Sequence, residues 1–422
     1  MTMIKKFLRK TTVLFVLALV LSCSQDPIFF TIKEEPIPVK PRITGSPTNM
    51  VLFTRGSVTL MYVASGNLHW YAGTDWDSQE YGIPQPGDKV IGLAATSEYL
   101  YALCIIDTGI TTVLRRLGKT GGWQNVPIAD SSYTLIQSIY TVTAGSTQML
   151  FAGAMNNSGR DFGVLYLDDA SDNPVLKLIN GLSDTLMLSG AASRNEGSGT
   201  VYFLSTKGRG VYAISETELT AGMPARQLGE TENQMFMGMI QLDYNGPIIL
   251  IERNGGAFFE AREYGLRQLK YSNGTAVSGA TSKYATGALG VWTNINNKSQ
   301  KILIAGIQGG LFSSTTSTSY SHGYVEIELD SSYNRDAEGW LVLYNTRSIN
   351  PDITVGGNTD RYTATIGKHP VNHFFQTPES IDSNMTFFAS TQTAGLWSYR
   401  DRKGGPQWNA EGENEPKQNI NE

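Results

Sequence analysis

The chain has 422 residues, 41% hydrophobic and 17% charged, and its 33 basic and 38 acidic side chains give a net charge of −5. Four of the cations (Lys5, Lys6, Arg9 and Lys10) precede the first acidic residue, so the remainder holds 29 basic against 38 acidic groups, a formal charge of −9. That balance, with no basic block, argues against a nucleic-acid partner, whose footprint is a clustered Lys/Arg patch.

The basic start is followed by an apolar run over residues 13–21. It is about half of the roughly 20 residues that a membrane span needs. Cations followed by a short apolar stretch are the layout of a secretory signal peptide, here residues 1–22. The segment ends in Val20-Leu21-Ser22-Cys23, which resembles the lipobox of bacterial lipoproteins, although Leu21 is bulkier than the residue usual there in enterobacteria. The resemblance implies cleavage before Cys23 and a diacylglycerol on its thiol. It also implies a membrane anchor of acyl chains, at about 0.8 kcal/mol per buried methylene. Ser24 stands where enterobacterial inner-membrane lipoproteins carry Asp, so the expected location is the cell envelope, the outer membrane rather than the inner. An acylated Cys23 leaves Cys104 with no disulfide partner, in an apolar run where a free Cys acts as a small buried hydrophobe.

Residues 23–48 read as a tether punctuated by Pro27, Pro36, Pro38, Pro41 and Pro47, a composition that is extended and semi-rigid. At the other end, 404–422 is nearly free of apolar residues and is expected to be disordered. Between them, 49–403 shows almost no helical periodicity. Short β-branched and aromatic runs alternate with Gly, Asn, Asp and Ser turns, the pattern of an all-β protein.

A repeat runs through it. One apolar strand recurs around Tyr62, Tyr101, Leu150, Tyr202, Leu250, Leu303 and Phe387, at steps of 39, 49, 52, 48, 53 and 84. Most copies are followed by a polar turn, a glycine and an aromatic-bearing strand, as in Gly210-Val211-Tyr212, Gly256-Ala257-Phe258, Gly310-Leu311-Phe312 and Gly395-Leu396-Trp397. Steps of about 40–53 match four-stranded propeller blades. The last step equals one blade plus an insertion within 313–366. A lone blade cannot bury both faces, whereas blades stacked into a closed ring bury them against each other. The expected fold is a β-propeller of about seven four-stranded blades. Six or eight remain open, because the blade near 60 is short and the insertion has room for another.

In an up-and-down blade, the turn between the second and third strands shares a face with the link to the next blade. Those turns hold Asn67, Arg160, Asp161, Lys207, Arg209, Arg253, Asn254, Gln308, Gln392 and Thr393. Of these, Arg160, Lys207, Arg209, Arg253, Asn254, Gln308 and Gln392 are the candidate binding residues. Polar turn residues are also what hairpins need for their own geometry.

The strings Phe203-Leu204-Ser205-Thr206-Lys207-Gly208-Arg209-Gly210-Val211-Tyr212, Ile304-Ala305-Gly306-Ile307-Gln308-Gly309-Gly310-Leu311-Phe312 and Ala389-Ser390-Thr391-Gln392-Thr393-Ala394-Gly395-Leu396-Trp397 resemble sialidase-type (BNR-like) propellers. The resemblance implies the fold. The Asp-box signature is absent and no sialidase site assembles, so it implies no catalytic residue. The combination of lipobox, tether and propeller also resembles the propeller lipoprotein of the outer-membrane barrel-assembly machinery.

Other chemistry is thinly represented. His369 and His373 have a metal-like spacing, but four residues along a strand span about 13 Å, too far for one zinc. His69 and His322 lack partners, and the acidic run Asp168 to Asn173 lacks the central glycine and closing glutamate of a calcium loop. Trp292 and Trp397 fall in strand patterns, whereas Trp76 and Trp340 sit among polar residues and are candidates for exposed contact. No cofactor, metal or catalytic residue is expected. The expected function is a membrane-anchored, non-catalytic binding or scaffold lipoprotein, with a protein partner ahead of a glycan. An envelope glycoside hydrolase or lyase working in the propeller funnel, and an accessory of outer-membrane barrel assembly, are the alternatives.

Overall fold

The computed structural model describes residues 43 and 46–411, apart from 74–75, 78–83, 107–110, 145–146, 160, 169–173, 183–186, 198, 230, 254–256, 278–282, 310–322, 330–331, 344–347, 350–369, 393 and 403–404. The chain divides into two units: Met1–Lys40 with Glu413–Glu422, outside the described residues, and Pro41–Gly412, which carries every described element.

Seven four-stranded sheets follow one another along this second unit, each a meander whose strands pair in sequence order. The first comprises β1 (Met50–Arg55), β2 (Val58–Ser65), β3 (Asn67–Tyr71) and β4 (Trp76–Asp77). The second holds β5 (Lys89–Ala95), β6 (Tyr99–Ile106), β7 (Thr111–Gly118) and β8 (Trp123–Val126). The third is β9 (Tyr133–Ala144), β10 (Thr147–Asn156), β11 (Phe162–Asp168) and β12 (Lys177–Leu178). The fourth is β13 (Leu188–Glu196), β14 (Gly199–Thr206), β15 (Val211–Ser215) and β16 (Arg226–Gln227), with the helix α1 (Glu216–Thr220) inside its last connection. The fifth is β17 (Phe236–Gln241), β18 (Ile248–Glu252), β19 (Phe258–Arg262) and β20 (Gly265–Gln268), after which comes β21 (Lys270–Tyr271). The sixth contains β22 (Lys283–Thr293), β23 (Lys301–Gly309) and β24 (Gly323–Leu329), then, after β25 (Val342–Leu343), its outer strand β26 (Ser348–Ile349). The seventh is β27 (Val371–Gln376), β28 (Phe387–Thr391), β29 (Leu396–Arg402) and β30 (Gly405–Ala410).

All seven residues that mark the sequence repeat lie on the second strand of a sheet. That strand is covered on both faces by neighbouring sheets, so it reads as an unbroken apolar run rather than an alternating one. In β14, for example, Val201 to Thr206 are all buried.

The first strands form a closed circle, each touching the first strand of the next sheet and β27 touching β1. The core is correspondingly divided into seven apolar layers, one between each pair of neighbouring sheets. The seam between the seventh and first sheets is a layer of Met50, Met61, Val63, Tyr71 and Trp76 against Phe388 and Leu396, with Ile43 of the tether wedged in. The Leu396 N–H donates to Ile43 O at 3.3 Å. Among the described residues no strand of one sheet pairs into the other across this seam, which is closed by side chains and by that backbone bond to Ile43. The chain is an all-β propeller.

Two expectations are corrected. Residues 405–410, within the stretch expected to be disordered, form β30, and Trp408 there is buried. The third strand of the sixth sheet is Gly323–Leu329 rather than the string Gly310-Leu311-Phe312, which lies outside the described residues. Between β24 and β26 the inserted chain contributes β25, which pairs in parallel with β21 in a separate two-stranded sheet after the fifth.

Candidate functional site

In each sheet the first strand begins, the second ends and the third begins on one face, which also carries the link to the next sheet. Near this linker face the inner strands of sheets two to seven break register with their partners, for example between Leu188 and Gly190, Phe236 and Gly238, and Val371 and His373. Such bulges re-aim a side chain. Here they turn polar groups onto the neighbouring sheet. Ser189 Oγ donates to Phe236 O at 2.6 Å, and Asn372 Nδ2 donates to Pro47 O at 3.1 Å. Beside these bulges, Ser138 Oγ donates to Leu188 O at 2.9 Å, and His373 Nδ1 accepts from the Met50 N–H at 3.3 Å. Between the fifth and sixth sheets the approach is closer still, because a Cβ on Gly238 would stand 2.1 Å from Gly287 O. The hairpins of this face therefore rise from a clamped base.

Three sequence-predicted residues come together there. Lys207 and Arg209 occupy the β14–β15 hairpin, and Arg253 follows β18. Gly210 N–H of the first hairpin donates to Gln234 O at 3.0 Å, and Arg253 N–H donates to the adjacent Met235 O at 2.8 Å. The dipeptide Gln234-Met235 thus bridges the two hairpins and places the three cations around one link. Lys207 is half-buried, and desolvation lowers its pKa. Arg209 and Arg253 are exposed. Arg209 is close enough to Tyr212 to oppose the upward shift that burial imposes on that phenol, whereas Glu232 adds to it. Glu252, next to Arg253, is a carboxylate whose pKa burial raises.

The other candidates are not part of this cluster. Gln392 is exposed on the seventh sheet, and Asn67 is the exposed first residue of β3, after a turn made by Gly66 alone (φ 73°). Asp161 ties its own hairpin by accepting from Asn156 Nδ2 at 2.5 Å. Gln308 was expected in a turn but lies within β23, paired with Tyr284. Arg160, Asn254, Thr393, His322, His369, the run 169–173 and the lipidation candidate Cys23 lie outside the described residues.

Of the two tryptophans expected to be exposed, Trp76 is buried and Trp340 is half-buried. Trp76 is 7% exposed and donates to Glu411 Oε2 at 3.0 Å across the seam. Trp340, on the inserted chain, takes the guanidinium groups of Arg262 and Arg267 at 4.7 and 5.9 Å from its ring centre. Beneath it, fully buried Glu260 receives Arg335 at 3.0 Å and the Leu341 N–H at 2.7 Å. These contacts hold the described part of the inserted chain, residues 332–343, against the fifth sheet. His373 keeps part of its surface accessible but is enclosed by protein, and desolvation holds its imidazole at about 4. Buried Cys104 has its thiol pushed up to about 12, chiefly by desolvation. Neither Gln234 nor Glu252 is visible as functional in the sequence, since one sits in a link and the other ends an apolar strand.

No protein-family model and no curated protein sequence matches the chain. Several solved structures align with most of it. A periplasmic gluconolactonase of Pseudomonas aeruginosa aligns at 13% identity and a TM-score of 0.46, covering 85% of this chain and 91% of that one. The Dos1 propeller aligns at 10% and 0.44, over 83% and 76% of the two chains. The extracellular domain of a hybrid two-component system from B. thetaiotaomicron aligns at 12% and 0.43, over 86% of this chain, which spans 40% of that one. At this similarity the alignments say nothing of chemistry. The fold itself is compatible with binding and with enzymatic roles.

Proposed function

We propose that this chain is a lipid-anchored binding protein of the bacterial envelope, held to the outer membrane through acylated Cys23 and offering its linker face to a protein partner. One observation carries the reading: Lys207, Arg209 and Arg253 are gathered at one link between the fourth and fifth sheets, on hairpins whose backbones are tied to it. Hairpin backbones on a clamped base lose little conformational freedom when a partner docks, which favours affinity. A local cationic rim on a body of net negative charge also discriminates, because it attracts a complementary patch while the rest of the surface repels acidic bystanders. Ser24 supports the outer membrane as the site of anchoring.

The test is capture from detergent-solubilised membranes, with the wild-type chain and an Arg209→Glu/Arg253→Glu variant as baits. The reading expects at least one protein retained by the wild type and lost from the variant. Identical captured proteins, or retention of a glycan with no protein, would overturn it.

A further inference from the structure

Single apolar side chains scattered over a surface need no explanation, but apolar side chains confined to one face mark a contact. Among the described residues five large apolar side chains are exposed: Val58, Met223, Tyr244, Tyr264 and Ile295. All five stand on the face opposite the linkers. Val58 opens β2, Tyr244 lies in the β17–β18 turn, Tyr264 in the β19–β20 turn and Ile295 in the β22–β23 turn, while Met223 lies in the connection from β15 to β16. The two tyrosines are the most exposed, at 63% and 75%.

The turns that carry them are tied to their neighbours. Beside Tyr244, Asp243 accepts from Lys301 Nζ of the sixth sheet at 2.7 and 2.8 Å, and Asn245 Oδ1 accepts from the Asn195 N–H of the fourth at 3.2 Å. The Arg226 guanidinium lies over the Tyr264 ring, 4.8 Å from its centre, and donates to Glu263 O. Beside Ile295, Gln376 of the seventh sheet holds the Thr293 N–H and C=O at 2.8 and 3.0 Å. Charges on these turns come in pairs, Lys301 with Asp243 and Lys298 with Glu379, so the face is mixed in sign.

The spread of the five side chains decides what covers them. A protein hot spot clusters near the centre of its interface, whereas these occupy the first, fourth, fifth and sixth sheets. A lipid surface meets every tip of a face at once. Tyrosine rings suit the headgroup level of a bilayer, aliphatic tips reach its acyl boundary, and an arginine such as Arg226 can keep its head among the phosphates. The tether permits this. It meets the body on the linker face, where Ile43 O accepts from the Leu396 N–H, and Cys23 stands 43 − 23 = 20 residues earlier. That stretch extends to about 66 Å, about twice the length of the 10-residue strand β10, so the anchor can lie beneath either face. We infer that the face opposite the linkers rests on the lipid leaflet that holds the anchor, with Val58, Met223, Tyr244, Tyr264 and Ile295 at the contact and the linker face turned to the aqueous compartment. The inference rests on the anchoring part of the reading above and sets the orientation of the anchored body.

The mature acylated chain, in a Cys104→Ala background, is given an environment-sensitive dye at one introduced cysteine. Val58→Cys reports on the contact face, and Asn67→Cys and Gln392→Cys report on the linker face. Each is reconstituted on vesicles of phosphatidylethanolamine with a minority of phosphatidylglycerol. A blue shift and a loss of intensity with brominated lipid are expected at position 58 and not at 67 or 392. Met223→Ser/Tyr244→Ser/Tyr264→Ser/Ile295→Ser should return the dye at 58 to the emission seen at 392, while the acyl chains keep the protein on the vesicles. A dye at 58 as water-exposed as at 392, or equal quenching on both faces, overturns the inference. So does a shift at 58 that needs solubilised native membranes and fails with pure lipid, which assigns the face to a protein. If the chain stays on the vesicles and neither face touches lipid, the anchoring stands and this inference falls. If mass spectrometry finds Cys23 unacylated and the dye at 58 still shifts on adding vesicles, the inference stands and the anchoring falls.

Discussion

The seam between the last and first sheets depends on a histidine that must stay neutral, and this makes the ring acid-sensitive in a defined window. His373 Nδ1 accepts the Met50 N–H at 3.3 Å, which a protonated ring cannot do. Desolvation lowers its folded-state pKa to about 4, against about 6.5 for a free imidazole. As pH falls through 6.5 the unfolded chain takes up a proton that the folded chain refuses until about 4, so stability is full above 6.5 and declines across that window. The whole gap is worth about 3 kcal/mol, of which about 2.5 kcal/mol is lost by pH 4.5. Urea unfolding followed by tryptophan fluorescence between pH 7.5 and 4.5 measures the loss. His373→Gln keeps an acceptor for Met50 and removes the titration, so the wild type should lose about 2.5 kcal/mol more than the variant over that range. The variant also cancels contributions from carboxylates that titrate nearby. Parallel pH profiles, or an imidazole signal in the folded protein that titrates near 6.5, would refute the reasoning.

Further outcomes follow from the packing. Gly238→Ala drives a Cβ to 2.1 Å from a backbone oxygen of the next sheet and should destabilise the protein by about 3 kcal/mol, whereas an unchanged thermal midpoint would mean that the inner strands are not in close contact. Glu260→Ala strands the arginines gathered on it, at 3.0 Å for Arg335 and 3.4 Å for Arg262, at a cost of about 3–5 kcal/mol. Breaking the exposed Lys298–Glu379 pair should cost about 0–1 kcal/mol, so equal losses from the two changes would contradict the burial of Glu260. Cys104, thiolate-free at neutral pH, should resist iodoacetamide in the native protein and react once urea unfolds it. Cys23→Ala should abolish partitioning into the detergent phase, and a variant that still partitions would disprove lipidation.

The parts of the fold that were legible in the sequence are those buried twice. Second strands such as residues 201–206, covered by two neighbours, carry no polar residue until their last turn and so repeat visibly along the chain. Outer strands had no such signal: β12, β16 and β26 are two residues long, and β30 is spelled Gly-Pro-Gln-Trp-Asn-Ala, which composition alone assigns to a disordered tail. Trp408 within it is buried and donates to Tyr324 OH at 2.9 Å on another sheet, a contact no local pattern records. Trp340 is half-covered for a reason equally remote in sequence. Its polar neighbours suggest exposure, and two arginines about 75 residues upstream shield part of it.

The candidate site divides along the same line. That Lys207, Arg209 and Arg253 sit in second-to-third-strand turns was legible, because the repeat places those turns. That two of the turns meet at Gln234-Met235 was not, because it depends on backbone hydrogen bonds between links of no distinctive composition. The clamps explain which polar residues are left to act on a partner. Ser138, Ser189 and Asn372 have the same turn-like chemistry as the candidate residues, yet their hydrogen bonds are spent on the next sheet. A polar residue on the linker face is therefore available only where its sheet is already held by something else. Between the fifth and sixth sheets, the inner strands already meet backbone to backbone at Gly238 and Gly287, with no side-chain clamp needed there. Arg253, on the fifth sheet beside that contact, has its backbone tied to Met235 and Ala285 and its guanidinium exposed. The close approach of Gly238 to Gly287 thus adjoins the rim, and substitution at Gly238 should disturb the placement of Arg253 before that of Lys207.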